Sequence, residues 1–304
     1  PLRVTYICSN LTLANENIRK LAVFDGAQHN KYVSEPSFSR LTELAIKDNQ
    51  NYNDASKLLE VCSLTPSTSF TLSQGDGIHW ERFIIYQLLC EHDSLSKHKS
   101  KLSKLFRGNC GSDTWQSNQY WFDRNKTLDK CVLQSFHQQL NAQSDYMEND
   151  WEIARDSSWL SIIEMVCTDQ VKCEHPYRLR SCLRRVLARC CVQNLKSDLF
   201  ILDEFQRFNS LLDTNEDNEL SVIARGIFSK ESAAKLLLLS ATPFKAMSQV
   251  DEEETQTAHV DELRYLLNFL SKKDHNFLSQ YEYDREKLHS EILSLRNHCR
   301  LKTS

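Results

Sequence analysis

The sequence predicts an α/β protein built on a parallel, doubly wound sheet, and three observations predict it. Four short apolar runs, residues 3–9, 58–64, 199–202 and 236–239, each lead into a polar cluster. Helical periodicity fills the chain around them. Only six glycines and five prolines occur in 304 residues, which suits long helices and few loops. Strands covered by helices on both faces read as unbroken hydrophobic runs. In such sheets the working residues gather past the carboxyl ends of the strands.

Taken in order, residues 3–9 (RVTYICS) are β-branched and aromatic, hence a strand. Leu13, Ile18, Leu21 and Val23 follow at helical spacing. The second strand, 58–64, ends in the turn-like Thr65, Pro66, Ser67, Thr68 and Ser69. Residues 75–194 are too many for a simple crossover. They read as helices over roughly 80–91, 119–142, 151–166 and 177–194, with polar joints such as 108–111. The third strand, 199–202, runs into Asp203 and Glu204, and the fourth, 236–239, into Ser240, Ala241, Thr242 and Pro243. An acidic loop at 251–254 precedes helical patterning over 260–300. The expected division is a sheet lobe over 1–74, an all-helical insertion over 75–194, and the rest of the lobe with C-terminal helices over 195–304.

Composition excludes several classes. No run approaches the roughly 18 to 20 apolar residues of a membrane helix, and residues 1–10 lack a signal-peptide profile. The net charge of -4 means that any nucleic-acid contact comes from a local patch. Eleven irregularly spaced cysteines, without an export signal, point to reduced thiols in a cytoplasmic protein. Cys167, Cys173, His175, Cys182, Cys190 and Cys191 lack the C-x-x-C pairing of zinc sites and read as small hydrophobes.

Chemistry concentrates at two strand ends. An apolar strand that delivers Asp203 and then Glu204 is how a nucleotide hydrolase presents a Mg²⁺-holding carboxylate and a water-polarising one. Alone this pattern is common on surfaces. The second run, LLLLSAT, places Ser240 and Thr242 where hydroxyls can hydrogen-bond an acidic motif on a neighbouring strand. The ordered pair, about 30 residues apart, is far more specific.

With these motifs in view, the chain resembles the first lobe of superfamily-two nucleic-acid helicases and translocases. Asp203-Glu204-Phe205-Gln206 is similar to their DExx box in its DExQ form, and Ser240-Ala241-Thr242 to their third motif. Tyr6 to Asn10 resembles the Ia region, and residues 63–70 sit where Ib belongs. The strings LDEFQRF and LLLSATPFK are similar to those of a bacterial group of large helicase-like proteins related to Swi/Snf translocases. The resemblance covers roughly 1–72 and 195–270. It implies a RecA-like sheet, ATP and Mg²⁺ as cofactors, and nucleic acid, with DNA the expected form, as partner. It assigns Asp203 to Mg²⁺, Glu204 to the catalytic base, and Gln206 to coupling with the third motif. Ser240 and Thr242 would link ATP state to nucleic-acid grip. Ser9, Asn10, Thr65, Ser67 and Thr68 would contact the sugar-phosphate backbone, which positions a strand without reading its sequence.

One part of the pattern is missing. Such lobes open with a strand and a Gly-x-x-x-x-Gly-Lys-Ser/Thr loop that cradles phosphates, and this sequence has none. The expectation is that the first strand and this loop lie before Pro1, and that the second lobe follows Ser304. A non-catalytic nucleic-acid-binding or assembly module on the same scaffold is the rival reading.

Three further features carry two readings each. The lysine-rich stretch 94–107 is either a solvated helix end or a backbone-binding strip. Arg178, Arg185 and Arg189, with Arg180 and Arg184 opposite, flank the apolar face of helix 177–194 and either snorkel or contact phosphates. Trp80, Trp115, Trp121, Trp151 and Trp159 read as insertion core rather than base-stacking platforms.

Overall fold

A computed structural model describes residues 1–8, 11–21, 31–34, 41–49, 57–64, 75–144, 157–204, 234–239, 264, 267–268, 270–271 and 274–301. The chain divides into two compact units, Pro1–Leu239 and Ser240–Ser304.

Among the described residues, the first unit is built on a five-stranded sheet. Its strands are β1 (Leu2–Ile7), β2 (Val33–Ser34), β4 (Leu59–Leu64), β6 (Leu199–Asp203) and β7 (Lys235–Leu239), in the order β2-β4-β1-β6-β7. Every pairing in it is parallel. The four strands expected from sequence are therefore neighbours in one sheet. Helix α1 (Leu11–Leu21) returns from β1 and packs Ala14 and Ile18 onto Val4, Tyr6, Val61 and Ile201. These are alternate strand residues, as a two-residue side-chain period requires. β7 departs from the expectation of burial on both faces. It is the outermost strand of the described sheet, and Leu237 and Leu239 remain 43% and 37% exposed.

The described residues between β4 and β6 form six α-helices: α2 (His79–Cys90), α3 (Lys99–Arg107), α4 (Ser112–Asn125), α5 (Lys130–Leu140), α6 (Trp159–Cys167) and α7 (Pro176–Gln193). They share one apolar core. α2 runs through its middle, and Phe83, Ile84, Ile85, Leu88 and Leu89 are fully buried. Phe83 stacks on Trp80 at 5.5 Å and meets Trp115 and Phe122 edge-on at 5.3 and 5.7 Å, the arrangements that aromatic quadrupoles favour. Trp159 is buried in the same core, Trp121 is largely exposed, and Trp151 lies outside the described residues.

The structure corrects the reading of this region in three places. The single helix expected over 119–142 is two, α4 and α5, separated by a short strand β5 (Lys126–Leu128), so the region is not all-helical. β5 pairs antiparallel with β3 (Ile46–Asp48). Through β3 and the 3-10 turn Leu41–Ala45, residues ahead of position 75 join the helical core, with Ala45 and Ile46 buried in it. The lysine-rich stretch forms α3, a helix with Lys99, Lys101 and Lys104 exposed and Leu102 and Phe106 buried. Finally, Arg180 and Arg184 neither snorkel nor face solvent, being 8% and 2% exposed.

Those two arginines are paired. Arg184 donates to Glu81 at 2.9 Å, and Arg180 pairs with Asp76 while donating to the Leu105 carbonyl at 2.7 Å. Arg82 also reaches Asp76, at 3.2 Å, and donates to the Arg107 carbonyl at 3.3 Å. The carbonyls at the end of α3, which lack helical partners, are thus met by guanidinium groups. Gly77 closes the cluster from the other side. Its φ is +75°, and a Cβ there would come within 2.6 Å of the Glu81 carboxylate. Only glycine suits both conditions. The cysteines of α6 and α7 are core as well. Cys167, Cys190 and Cys191 are buried, and Cys173 and Cys182 pack against the same cluster. Burial pushes the Cys167 thiol up to about 11, so it remains a neutral hydrophobe.

Asp129 starts α5 and explains the break before it. Its carboxylate accepts from the Val132 backbone N–H at 2.9 Å and pairs with Lys47. Burial alone would raise its pKa. Lys47 and the Val132 and Cys131 N–H groups outweigh burial and hold it below the usual 3.8. A carboxyl depressed in the folded state adds stability above its unfolded pKa, and that stability is lost as pH falls through the folded value. Asp129→Ala is expected to cost about 1 kcal/mol at neutral pH. The difference from wild type in urea midpoint should shrink as the pH drops below about 4, and a pH-independent difference would remove the charge from the explanation.

In the second unit, α8 (His275–Leu301) overlaps the helical patterning expected over 260–300 and ends one residue past it. Glu282 of α8 pairs with Arg264 at 2.6 Å.

Candidate functional site

Parallel pairing puts all strand carboxyl ends along one edge. Ile7 lies opposite Leu64 on one side and Leu202 on the other, and Asp203 lies opposite Leu239. The carboxyl ends of β1, β4, β6 and β7 therefore lie along a common edge, where ligands bind in open α/β sheets. Asp203 is the last residue of β6 and is partly exposed. Glu204 follows with φ 55°, a left-handed conformation that costs a non-glycine residue about 1–2 kcal/mol. The strand is thereby turned sharply at its acidic tip. Strain of this kind persists where surrounding structure imposes it, often at functional positions.

Asp203 is held by two side chains that sequence reasoning did not select. Tyr6 and Ile201 are register partners, so Asp203, two residues on, shares their face of the sheet. Tyr6 is 2% exposed, its ring sits in the apolar cluster under α1, and its hydroxyl donates to Asp203 Oδ2. Asn17, one turn along α1 from Ala14, donates to the same Oδ2 at 3.1 Å and to the Tyr6 hydroxyl at 2.9 Å. Burial, and then the bond to Asp203, push the Tyr6 phenol well above its ordinary value, while Asn17 opposes them. The phenol stays a neutral donor. A tyrosine inside an apolar strand is itself a sequence signal, because a buried hydroxyl needs a partner, but the partner's identity is not local.

Of the residues singled out from sequence, Asp203 and Glu204 stand together at this edge. Ser9, Asn10, Thr65, Ser67, Thr68, Gln206, Ser240 and Thr242 lie outside the described residues. Oδ1 of Asp203 accepts no hydrogen bond among the described residues, which leaves a hard carboxylate oxygen for a hard cation. The described residues contain no cluster of three or more metal-ligating side chains. A cation here would thus take one or two carboxylates from the chain and complete its shell with water and phosphate oxygens, as Mg²⁺ commonly does.

These features define an α/β protein with a parallel sheet and an acidic, partly strained strand tip at its carboxyl edge. Comparison of the chain with protein families, with curated proteins and with solved structures finds no match to any of them. No helix among the described residues is long and apolar enough to cross a membrane.

Proposed function

We propose that this chain is part of an ATP-driven motor acting on nucleic acid, with DNA the expected substrate, and that its sheet is a RecA-like lobe carrying a helical insertion. One observation carries the reading. The strand ending in Asp203-Glu204 lies directly beside the strand that runs into Ser240-Ala241-Thr242, in a parallel sheet whose other working ends share the same edge. The strands that lead into these two motifs are consecutive in the described chain and adjacent in the sheet. In this reading Asp203 holds Mg²⁺ through its open oxygen, and Glu204 takes a proton from the water that attacks the γ-phosphate. Gln206, Ser240 and Thr242 pass the nucleotide state on. Ser9, Asn10, Thr65, Ser67 and Thr68 grip the sugar-phosphate backbone. A second lobe closes over the nucleotide and reopens after hydrolysis.

The missing Gly-x-x-x-x-Gly-Lys-Ser/Thr loop favours a second reading, a non-catalytic binding or assembly module. ATP turnover by the full-length polypeptide, with and without duplex DNA, separates the two. The motor reading expects turnover that rises with DNA, together with ATP-dependent strand displacement or translocation. The 304-residue chain by itself is expected to turn over no ATP. A full-length protein that binds DNA but neither binds nor hydrolyses ATP would establish the module instead.

A further inference from the structure

We infer that Tyr6 and Asn17 are positioning residues for Asp203, occupying one oxygen of its carboxylate so that the other is presented to a divalent cation. The inference deepens the motor reading and rests on its assignment of the cation to Asp203. Three observations carry it. Both donors meet the same oxygen, Oδ2, and Oδ1 accepts no bond among the described residues. Asn17 also donates to the Tyr6 hydroxyl, so the hydrogens run in one direction, from Asn17 to Tyr6 to Asp203. The three residues come from α1, β1 and the tip of β6, so rotation of the carboxylate is opposed from two elements besides its own.

Packing alone does not account for the tyrosine. Phenylalanine would fill the same apolar cluster of Val4, Ile18, Val61 and Ile201 without a hydroxyl to satisfy. The hydroxyl instead reaches the one carboxylate of the described residues that ends a central strand and borders the sharp turn at Glu204. Outer partners that orient a metal-binding carboxylate typically govern metal affinity by about 10–100-fold. A neutral phenol and an amide do this without adding charge that would compete with the cation.

The test is a titration of the chain with Mn²⁺ alone, read by paramagnetic broadening of the backbone amides of β6 and α1. Wild type is expected to broaden at β6 and α1 with a saturable midpoint, and Asp203→Asn to lose that response. Tyr6→Phe should raise the midpoint by about tenfold or more. Asn17→Ala, which removes two of the three bonds from a partly exposed position, should shift it in the same direction. It also serves if the tyrosine variant does not fold. Melting temperatures measured alongside separate orientation from stability. A lowered melting temperature with an unchanged Mn²⁺ midpoint would make the two residues structural and overturn the inference, while leaving Asp203 as the cation ligand. Equal broadening in wild type and Asp203→Asn, or none in wild type, would instead remove the cation from Asp203 and take the underlying reading with it.

Discussion

Replacing Arg184 with methionine is expected to destabilise the first unit by about 3–5 kcal/mol, the typical penalty for leaving one member of a buried ion pair alone. The side chains of Arg184 and Glu81 are 3% and 2% exposed, so water cannot take over the abandoned carboxylate. What remains for Glu81 is the Thr42 hydroxyl at 3.2 Å and the Ile78 backbone N–H at 3.0 Å. Gly77 packs against both members of the pair, so the site has little room to admit solvent. The loss would be read from the urea midpoint followed by far-ultraviolet circular dichroism. Combining Arg184→Met with Glu81→Gln should recover most of it. The amide keeps an acceptor for the Ile78 N–H that starts α2 and no longer carries a charge, and neutral replacements of buried pairs are often close to isoenergetic. A single-variant cost below about 1 kcal/mol would mean that the pair is solvated in solution and contributes no more than a surface bridge.

Glu204→Gln in the full-length protein is expected to lower ATP turnover by about 10²–10⁴-fold while ATP still binds, because the amide cannot accept the proton of the attacking water. The side chain keeps its size, and the left-handed backbone at φ 55° is no harder for glutamine than for glutamate. Loss of turnover with unchanged melting temperature would therefore isolate the proton-accepting role. Turnover within a few-fold of wild type would take Glu204 out of the chemistry. The strained tip would then serve only to direct the chain away from the sheet. Binding measured with a non-hydrolysable ATP analogue distinguishes a chemical defect from a binding one, since the two variants of the acidic pair should differ in that respect. Asp203→Asn is expected to weaken cation-dependent binding, and Glu204→Gln to leave it unchanged.

How much of this was legible in advance follows from the range over which each interaction acts. The runs at 58–64 and 199–202 announce β4 and β6 because a strand sandwiched by helices must be apolar at successive positions, a purely local demand. The helix expected over 177–194 matches α7, Pro176–Gln193, because its apolar face repeats every three to four residues. Local pattern failed where tertiary contacts chose between alternatives. Residues 126–128 continue a helical pattern in sequence, yet they form β5 because β3 offers them a partner and Asp129 starts a new helix behind them. Periodicity placed Arg180 and Arg184 beside an apolar face but could not bury them. Burial depends on Asp76 and Glu81, more than 100 residues earlier in the chain.

The candidate site divides in the same way. By itself the sequence determined the α/β class, the main strands and the acidic pair at positions 203 and 204, since these rest on residue type and short-range order. Only the tertiary structure decided that β6 and β7 are parallel neighbours, and that Tyr6 and Asn17, 197 and 186 residues from Asp203, close on one of its oxygens. Hydrogen bonds of that span form when strand register and helix packing bring distant side chains within about 3 Å, and no local propensity encodes that meeting.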